Sequence, residues 1–311
     1  MNPSISVVIP LYNKAPHIRE TLESVFAQTY PPDEVVVVDD GSTDNGFQIV
    51  SEISNPKLIL VKQENQGVSK ARNTGIGRAQ GDYVAFLDAD DFWNPNHLEE
   101  LAKLIVNFPD LGLYSTAYTL CTEGRYSVPI STFPPGFFGI INDFLNTYAN
   151  NLSLVSSSTA CVNRESIISI GCFPENIDHG EDTITWVNMA LRYRMAHSSL
   201  VTSVYNQDAS NRASNKRDDN VPTALVFLSG MINQNDSSEQ LKSGAKRLFS
   251  RIAFYTSASK RESGEWKSIL NIIKLAKNSG MWMLVGKISI VALTPSRFLK
   301  YAKRWRRKKD L

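Results

Sequence analysis

The sequence predicts an α/β fold: a mostly parallel, mixed sheet flanked by helices, followed by a helical C-terminal extension. Two observations carry this. Through the first 120 or so residues, short β-branched runs alternate with segments of helical period, and such alternation demands crossovers that lay parallel strands beneath helices on both faces. After Val221, apolar residues recur at helical spacing alone.

Each element follows in order. Ser4–Ile9 reads as an apolar strand closed by Pro10. Ile18, Leu22, Val25 and Phe26 recur at i, i+4, i+7 and i+8, one helix face, with Pro16 near the start. Glu34–Val38 is a second strand ending at Asp39-Asp40-Gly41-Ser42; a short helix over Asp44–Ile53 and a third strand at Leu58–Val61 follow. Val68–Ala79 reads as a helix and Asp82–Leu87 as the fourth strand. A helix over Pro95–Asn107 buries Leu98, Leu101, Leu104 and Ile105. Beyond residue 112 come a strand at Leu113–Leu120, a Pro-rich loop at 128–139, and a helical stretch at Ile140–Ala149. A further segment at Ser157–Asn163, a helix at Glu181–Arg192 and a polar loop at Asn206–Asn220 complete this part. In the helical extension Leu248, Ile252 and Tyr255 share one face, as do Trp266, Ile269 and Ile273. The expected division is 1–220, a catalytic domain, and 221–311, a helical region with a basic amphipathic tail.

The 311 residues are 42% hydrophobic and 21% charged, the make-up of a soluble globular protein. The net charge of +2 excludes little, but its distribution is uneven: from Arg297 onward eight basic residues face Asp310 alone. Cys121, Cys161 and Cys172 are odd in number and lack CxxC spacing, so they read as buried thiols of a reducing compartment. MNPSISVVIPLYNK has neither a basic start nor a long apolar core, and Met281–Leu293 is shorter than the roughly 20 residues of a membrane span. The expected location is cytoplasmic, peripheral at the inner face of the membrane.

Four clusters fall at or just beyond strand ends: Pro10-Leu11-Tyr12-Asn13, Asp39-Asp40, Gly67–Asn73 and Asp88-Ala89-Asp90-Asp91. In a parallel sheet those ends share one edge, where ligands bind. Asp88 and Asp90, one residue apart, suit a hard cation such as Mn²⁺ or Mg²⁺ that also takes phosphate oxygens; an acidic turn before the next helix is the competing reading. Asp39 or Asp40 suits a nucleobase or ribose, or else a turn that caps the next helix. Tyr12 offers an aromatic face to a base or simply packs, and Arg72 offers a positive charge to phosphate or lies solvated. His17, His97, His179 and His197 are scattered, and only His179 lies near a candidate site.

The segments ISVVIPLYNK, EVVVVDDGSTD, NQGVSKARNTGI and GDYVAFLDADD, with HGEDTITWVNMALR later, resemble the family 2 glycosyltransferases of GT-A fold, of the bacterial cell-surface polysaccharide type. The resemblance covers roughly residues 4–195. It implies that Tyr12 and Asp40 hold the base of a nucleoside-diphosphate sugar, with Pro10, Asn13 and Asp39 at the same strand ends. Arg72 and Asn73 would border the nucleotide and sugar. Asp88 and Ala89 would meet ribose or sugar, and Asp90, with Asp88, the metal on the diphosphate. Asp182, with Glu181 next, would be the base that deprotonates the acceptor; an acidic first turn favoured by the helix dipole would place both identically. The implied activity is an inverting hexosyl transfer, with a UDP-sugar as expected donor and a lipid-linked saccharide as expected acceptor in O-antigen, capsule or lipopolysaccharide synthesis. The absence of QxxRW after the Glu-Asp helix points to a non-processive enzyme.

Ser296–Lys309 mixes Phe298, Leu299, Tyr301, Ala302 and Trp305 with basic residues, which suits an anionic membrane surface; a solvated tail is the competing reading and nucleic-acid binding a third. Arg212 is a candidate to fold over the diphosphate. Two other activities compete: a non-catalytic sugar-nucleotide binding module, and a phosphohydrolase with Asp88 as nucleophile. No GxGxxG follows the first strand, which disfavours a dinucleotide oxidoreductase.

Overall fold

The computed structural model describes residues 2–129, 131–177, 179–209 and 220–294. Chain contacts divide it into two compact units, one of Met1–Ile177 with Glu181–Arg212, the other of Asp178–Gly180 with Ala213–Leu311.

In the first unit an alternating half comprises β1 (Ile5–Leu11), α1 (Ile18–Phe26), β2 (Glu34–Asp40), α2 (Gly46–Ser51), β3 (Leu58–Gln63), α3 (Val68–Arg78) and β4 (Tyr83–Phe86). It continues with β5 (Phe92–Trp93), α4 (His97–Asn107), β6 (Leu113–Thr122), β7 (Arg125–Ser127), β8 (Phe138–Ile141) and α5 (Phe144–Asn150). β9 (Ala160–Asn163), α6 (Arg164–Ser169), α7 (Glu181–Arg192) and β10 (Met195–Asn206) complete it. The sheet runs β3-β2-β1-β4-β9-β6-β10-β5, with β7 on β6 and β8 on β10. β3, β2, β1 and β4 pair in parallel, and β6 pairs in parallel with β10; β9 is antiparallel to both its neighbours, which makes the sheet mixed.

Strand alternation splits the core between two faces. Ile5, Val7, Ile9, Val35 and Val37 meet Ile18, Leu22 and Val25 of α1 and Leu98, Leu101, Leu104 and Ile105 of α4. Val8, on the opposite face, meets α3 at Gly75, where a Cβ would lie 2.3 Å from Val8 Cγ1. Gly75→Ala is therefore expected to destabilise the protein by about 1–3 kcal/mol through overpacking, more than the ~1 kcal/mol gained in helix propensity. Urea denaturation measures it.

The strand expected to close at Pro10 runs through Leu11, with Pro10 opposite Val38. Val8 turns its carbonyl to the Leu87 amide, so Pro10, two residues on, faces the same way, where β4 has already ended at Phe86. The missing N–H of Pro10 costs no ladder hydrogen bond there. The helix expected from Ile140 begins instead at Phe144, because Phe138–Ile141 pairs antiparallel with β10 and Asp143 then caps α5 by accepting from the Asn146 amide at 3.1 Å. Ser157–Thr159 is a single 3₁₀ turn ahead of β9. β10, with β6 the strand partner of four others between them, carries no alternation that announces it: His197-Ser198-Ser199 interrupts its apolar run, and its register with β6 shifts at Ser198 and Val201.

The second unit is helical: α8 (Thr223–Asn233), α9 (Glu239–Ser263), α10 (Trp266–Asn278) and α11 (Trp282–Leu293). Leu248 and Ile269 are buried as expected, but Tyr255 and Trp266 are exposed, each under an arginine, Arg251 at 4.9 Å and Arg261 at 4.4 Å. Cys121 and Cys161 are buried free thiols, whereas Cys172 is only half-buried. No helix among the described residues is long and apolar enough to cross a membrane.

Candidate active site

β1 and β4 are neighbours, but the chain beyond β1 passes to β2 on one side while β9 covers β4 on the other. Such a change of direction leaves a crevice at the strands' carboxyl ends, and there the four clusters converge.

Tyr12 follows β1 and is 44% exposed, its ring available to a flat ligand. Asn13 sits at φ 53, a left-handed conformation that asparagine tolerates better than most residues. Its Oδ1 accepts from the Thr43 and Asp44 amides at 2.8 and 3.3 Å, and so ties the loop after β1 to the loop after β2. The two aspartates ending β2 point to opposite faces and fare differently. Asp40 accepts from Gln63 Nε2 and from the Gln66 and Gly67 amides at 2.8–2.9 Å, which commits its carboxylate to the turn before α3. Asp39 is fully buried; its Oδ1 takes the Ser42 amide at 3.3 Å, while Oδ2 has no hydrogen-bond partner. A buried carboxylate oxygen left over in this way is costly.

The turn after β4 spreads its three carboxylates apart. Asp88 Oδ1 accepts from Arg72 Nη2 at 2.8 Å. Asp90 Oδ2 pairs with Lys14 Nζ at 2.6 Å. Asp91 is buried, and its oxygens accept from Ser158 Oγ at 2.6 Å and the Asn206 amide at 2.8 Å. Burial, then the charges of Asp88 and Asp90, push the Asp91 carboxyl well above its usual range, against the pull of Ser158 and Asn206. Asp91 thus braces the turn against β10. Ser158 serves both neighbours, since its Oγ also accepts from the Asp88 amide at 3.2 Å. Thr21 Oγ1 donates to the carbonyls of Ala89 and Asp91 at 3.1 and 2.8 Å from below, and the Ala89 side chain is buried in the core.

Arg72, 3% exposed, joins the two halves of the site. Besides Asp88 it donates through Nη1 to Glu181 Oε1 at 3.1 Å, and its guanidinium lies 5.2 Å from the Phe173 ring. Burial works against its charge, but Asp88, Glu181 and Asp182 more than offset that, and its pKa is raised. Asn73 donates to the Phe173 carbonyl and accepts the Phe173 amide, both at 2.9 Å, which fastens α3 to the segment before α7. Trp186, fully buried against Phe86 and Phe173, anchors α7. At the start of that helix, burial and then the charge of Glu181 raise Asp182 to about 6, although Arg72 and the Thr183 amide oppose the shift. A carboxylate poised there is suited to accept a proton near neutral pH.

Asp88 and Asp90 each keep one oxygen outside their ion pairs, and carboxylate oxygens are the donor type a hard divalent cation takes. Among the described residues no group of three or more His, Cys, Asp or Glu could hold a metal ion by itself. The rest of its shell would fall to diphosphate oxygens and water.

Lys14, Ser158 and Thr21 were not singled out from sequence. Lys14 was findable as a cation directly following the strand-end Tyr-Asn; Ser158 and Thr21 act through contacts 67 and 70 residues away. His97 and His197 are buried, lowered to about 3 and 4 by burial, and hydrogen-bonded to Thr202 and Ser115. His179 falls in the second unit. Arg212 and the tail 296–309 lie outside the described residues.

The sequence model described as glycosyl transferase family 2 matches residues 6–169, the stretch that supplies all four strand-end clusters. The chain belongs to that family. It is 41% identical over 110 residues to glycosyltransferase GlyA of Streptococcus pneumoniae, 35% of this chain but 16% of GlyA. With WfaP of Escherichia coli, a UDP-Glc:α-D-GlcNAc-diphosphoundecaprenol β-1,3-glucosyltransferase, it shares 29% identity over 220 residues, 68% of this chain and 80% of WfaP. The crystal structure of S. aureus TarS 1-349 with UDP-GlcNAc superposes with a TM-score of 0.75 at 21% identity, covering 97% of this chain and 92% of that one. This glycosyltransferase therefore has the GT-A fold of that neighbour, and its strand-end crevice is the candidate active site.

Proposed function

We propose that this family 2 enzyme moves one sugar from a nucleoside-diphosphate sugar to a hydroxyl of a lipid-linked saccharide, with inversion and without processivity, in surface polysaccharide synthesis. The observation that carries the proposal is the Asp88–Arg72–Glu181 bridge. It ties Glu181, the chain neighbour of Asp182, to Asp88, which supports reading Asp182 as the base beside the donor.

In this reading Tyr12 stacks on the base, and Asp40 meets it while also holding the loop before α3, with Asp39 supporting that strand end. Asp88 and Asp90 would hold Mn²⁺ or Mg²⁺, which supplies counter-charge to the departing diphosphate. Asp182 takes the acceptor's hydroxyl proton as its oxygen bonds to the anomeric carbon, and the diphosphate leaves from the opposite face with the bonding electron pair. A UDP-sugar donor and a diphosphoundecaprenol-type acceptor are supported by the name of WfaP, and UDP also by the TarS complex.

A thermal-shift panel of nucleoside-diphosphate sugars, each with and without Mn²⁺, tests the donor reading. A donor at 100 times its Kd adds about 2.7 kcal/mol to stability. Stabilisation by a UDP-sugar that needs Mn²⁺ is expected, and no response to any donor would overturn the proposal. The basic tail from Arg297 onward is proposed to rest on anionic lipid.

A further inference from the structure

Helix α11 is apolar nearly all round, yet only Leu284, Ile288 and Val291 are buried. Trp282, Met283, Ile290 and Leu293 remain 67%, 85%, 67% and 83% exposed. At 100° per residue these four fall within an arc of about 100°, opposite the buried three, with Gly286 inside the arc and exposed Lys287 at its edge. An apolar face of this kind on a soluble unit needs a partner.

Charge identifies the partner. Residues 221–311 hold 18 Lys and Arg against 5 Asp and Glu, whereas residues 1–220 hold 15 against 26. α10, which packs against α11, exposes Lys267, Lys274 and Lys277. A second copy of this chain would bring the same positive charge to the contact and be repelled. A surface that is apolar beneath and anionic above satisfies both features: acyl chains take Trp282, Met283, Ile290 and Leu293, and headgroups take the lysines, whose long stems let the ammonium reach the polar layer. Tryptophan at the end of such a face suits the boundary layer.

We infer that the outward face of α11 is a membrane-docking surface that inserts at the interface of an anionic bilayer. It deepens the membrane contact proposed for the tail and adds the apolar anchor that a polybasic segment lacks, since stable attachment takes two signals.

The test is co-sedimentation of the full chain with phosphatidylglycerol/phosphatidylcholine vesicles, beside a W282Q/M283Q/I290Q/L293Q variant and a variant with its tail lysines and arginines from 297 onward changed to Gln. The parent is expected to bind the mixed vesicles and not pure phosphatidylcholine. The α11 variant, its tail intact, is expected to lose about tenfold or more in partitioning, as when one of two membrane signals is removed. Brominated lipid should quench the parent's fluorescence more than that of W282F. An α11 variant that binds like the parent would overturn the inference and leave the tail as sole contact. So would a parent that ignores anionic vesicles, or one that is dimeric by light scattering where the variant is monomeric. Unchanged donor-induced thermal shifts in the α11 variant certify its fold, and keep this result separate from the donor reading.

Discussion

Asp182→Asn is expected to lower turnover by about 10²–10⁴-fold, the contribution of a positioned general base, while donor binding and its Mn²⁺ dependence stay intact. Asparagine preserves the shape and the contact with the Thr183 amide but cannot take the proton. In the parent, activity should fall on the acid side of about pH 6, where burial and the charge of Glu181 place the Asp182 carboxyl, because the base form is lost as the pH drops through that value. The stability sign is opposite. The folded pKa is raised from 3.8 to about 6, so the fold favours protonated Asp182; that contribution is complete below about pH 4 and disappears as the pH rises through about 6. Asparagine does not ionise, so Asp182→Asn should raise the thermal midpoint at pH 8 relative to the parent, and less so at pH 4. Loss of transfer with a gain in neutral-pH stability would distinguish a base from a structural carboxylate. An unchanged rate would exclude Asp182 as the base.

Arg72→Met should have the largest effect on stability. Removing the guanidinium leaves Asp88 and Glu181 without their shared cation; a fully buried pair broken in this way costs about 3–5 kcal/mol, and the partial exposure of the two carboxylates, 29% and 14%, lowers that here. The same change removes one of the two influences that hold Asp182 down, so the acid limb of any remaining activity should move to higher pH. Arg72→Lys keeps the charge but not the fork that reaches Asp88 through Nη2 and Glu181 through Nη1. It should recover part of the stability and little of the turnover. Guanidinium denaturation and pH–rate profiles on the three proteins would show it, and a Met variant as stable as the parent would refute the bridge.

Much of this architecture was legible in the chain. The β-branched runs at Val35–Val38 and Val84–Phe86 and the period of Leu98, Leu101, Leu104 and Ile105 report local burial, which a sequence writes as a repeat of 2 or 3.6. The placing of carboxylates beyond strand ends was legible for the same reason. β8 and β10 were not: β8 is only four residues long and the apolar run of β10 is broken at His197-Ser198-Ser199, so both show as strands only through pairing, β8 with β10 and β10 with β6. In the second unit the helices were foreseen, while the exposed faces of Tyr255 and Trp266 depended on which neighbours each helix met.

By itself, then, the sequence determined an α/β domain with a carboxylate-rich sheet edge and a basic helical end, since periodicity and strand-end composition are local properties of the chain. Tertiary structure alone decided that Asp40 holds the turn before α3 while one oxygen of Asp39 is left without a partner, that the supporting Asp91 braces against Ser158 and Asn206, and that Arg72 reaches Glu181 across 109 residues. The physical reason is that a carboxylate's chemistry depends on which donors and charges the fold brings within about 3 Å of it, and those partners lie far away in the chain.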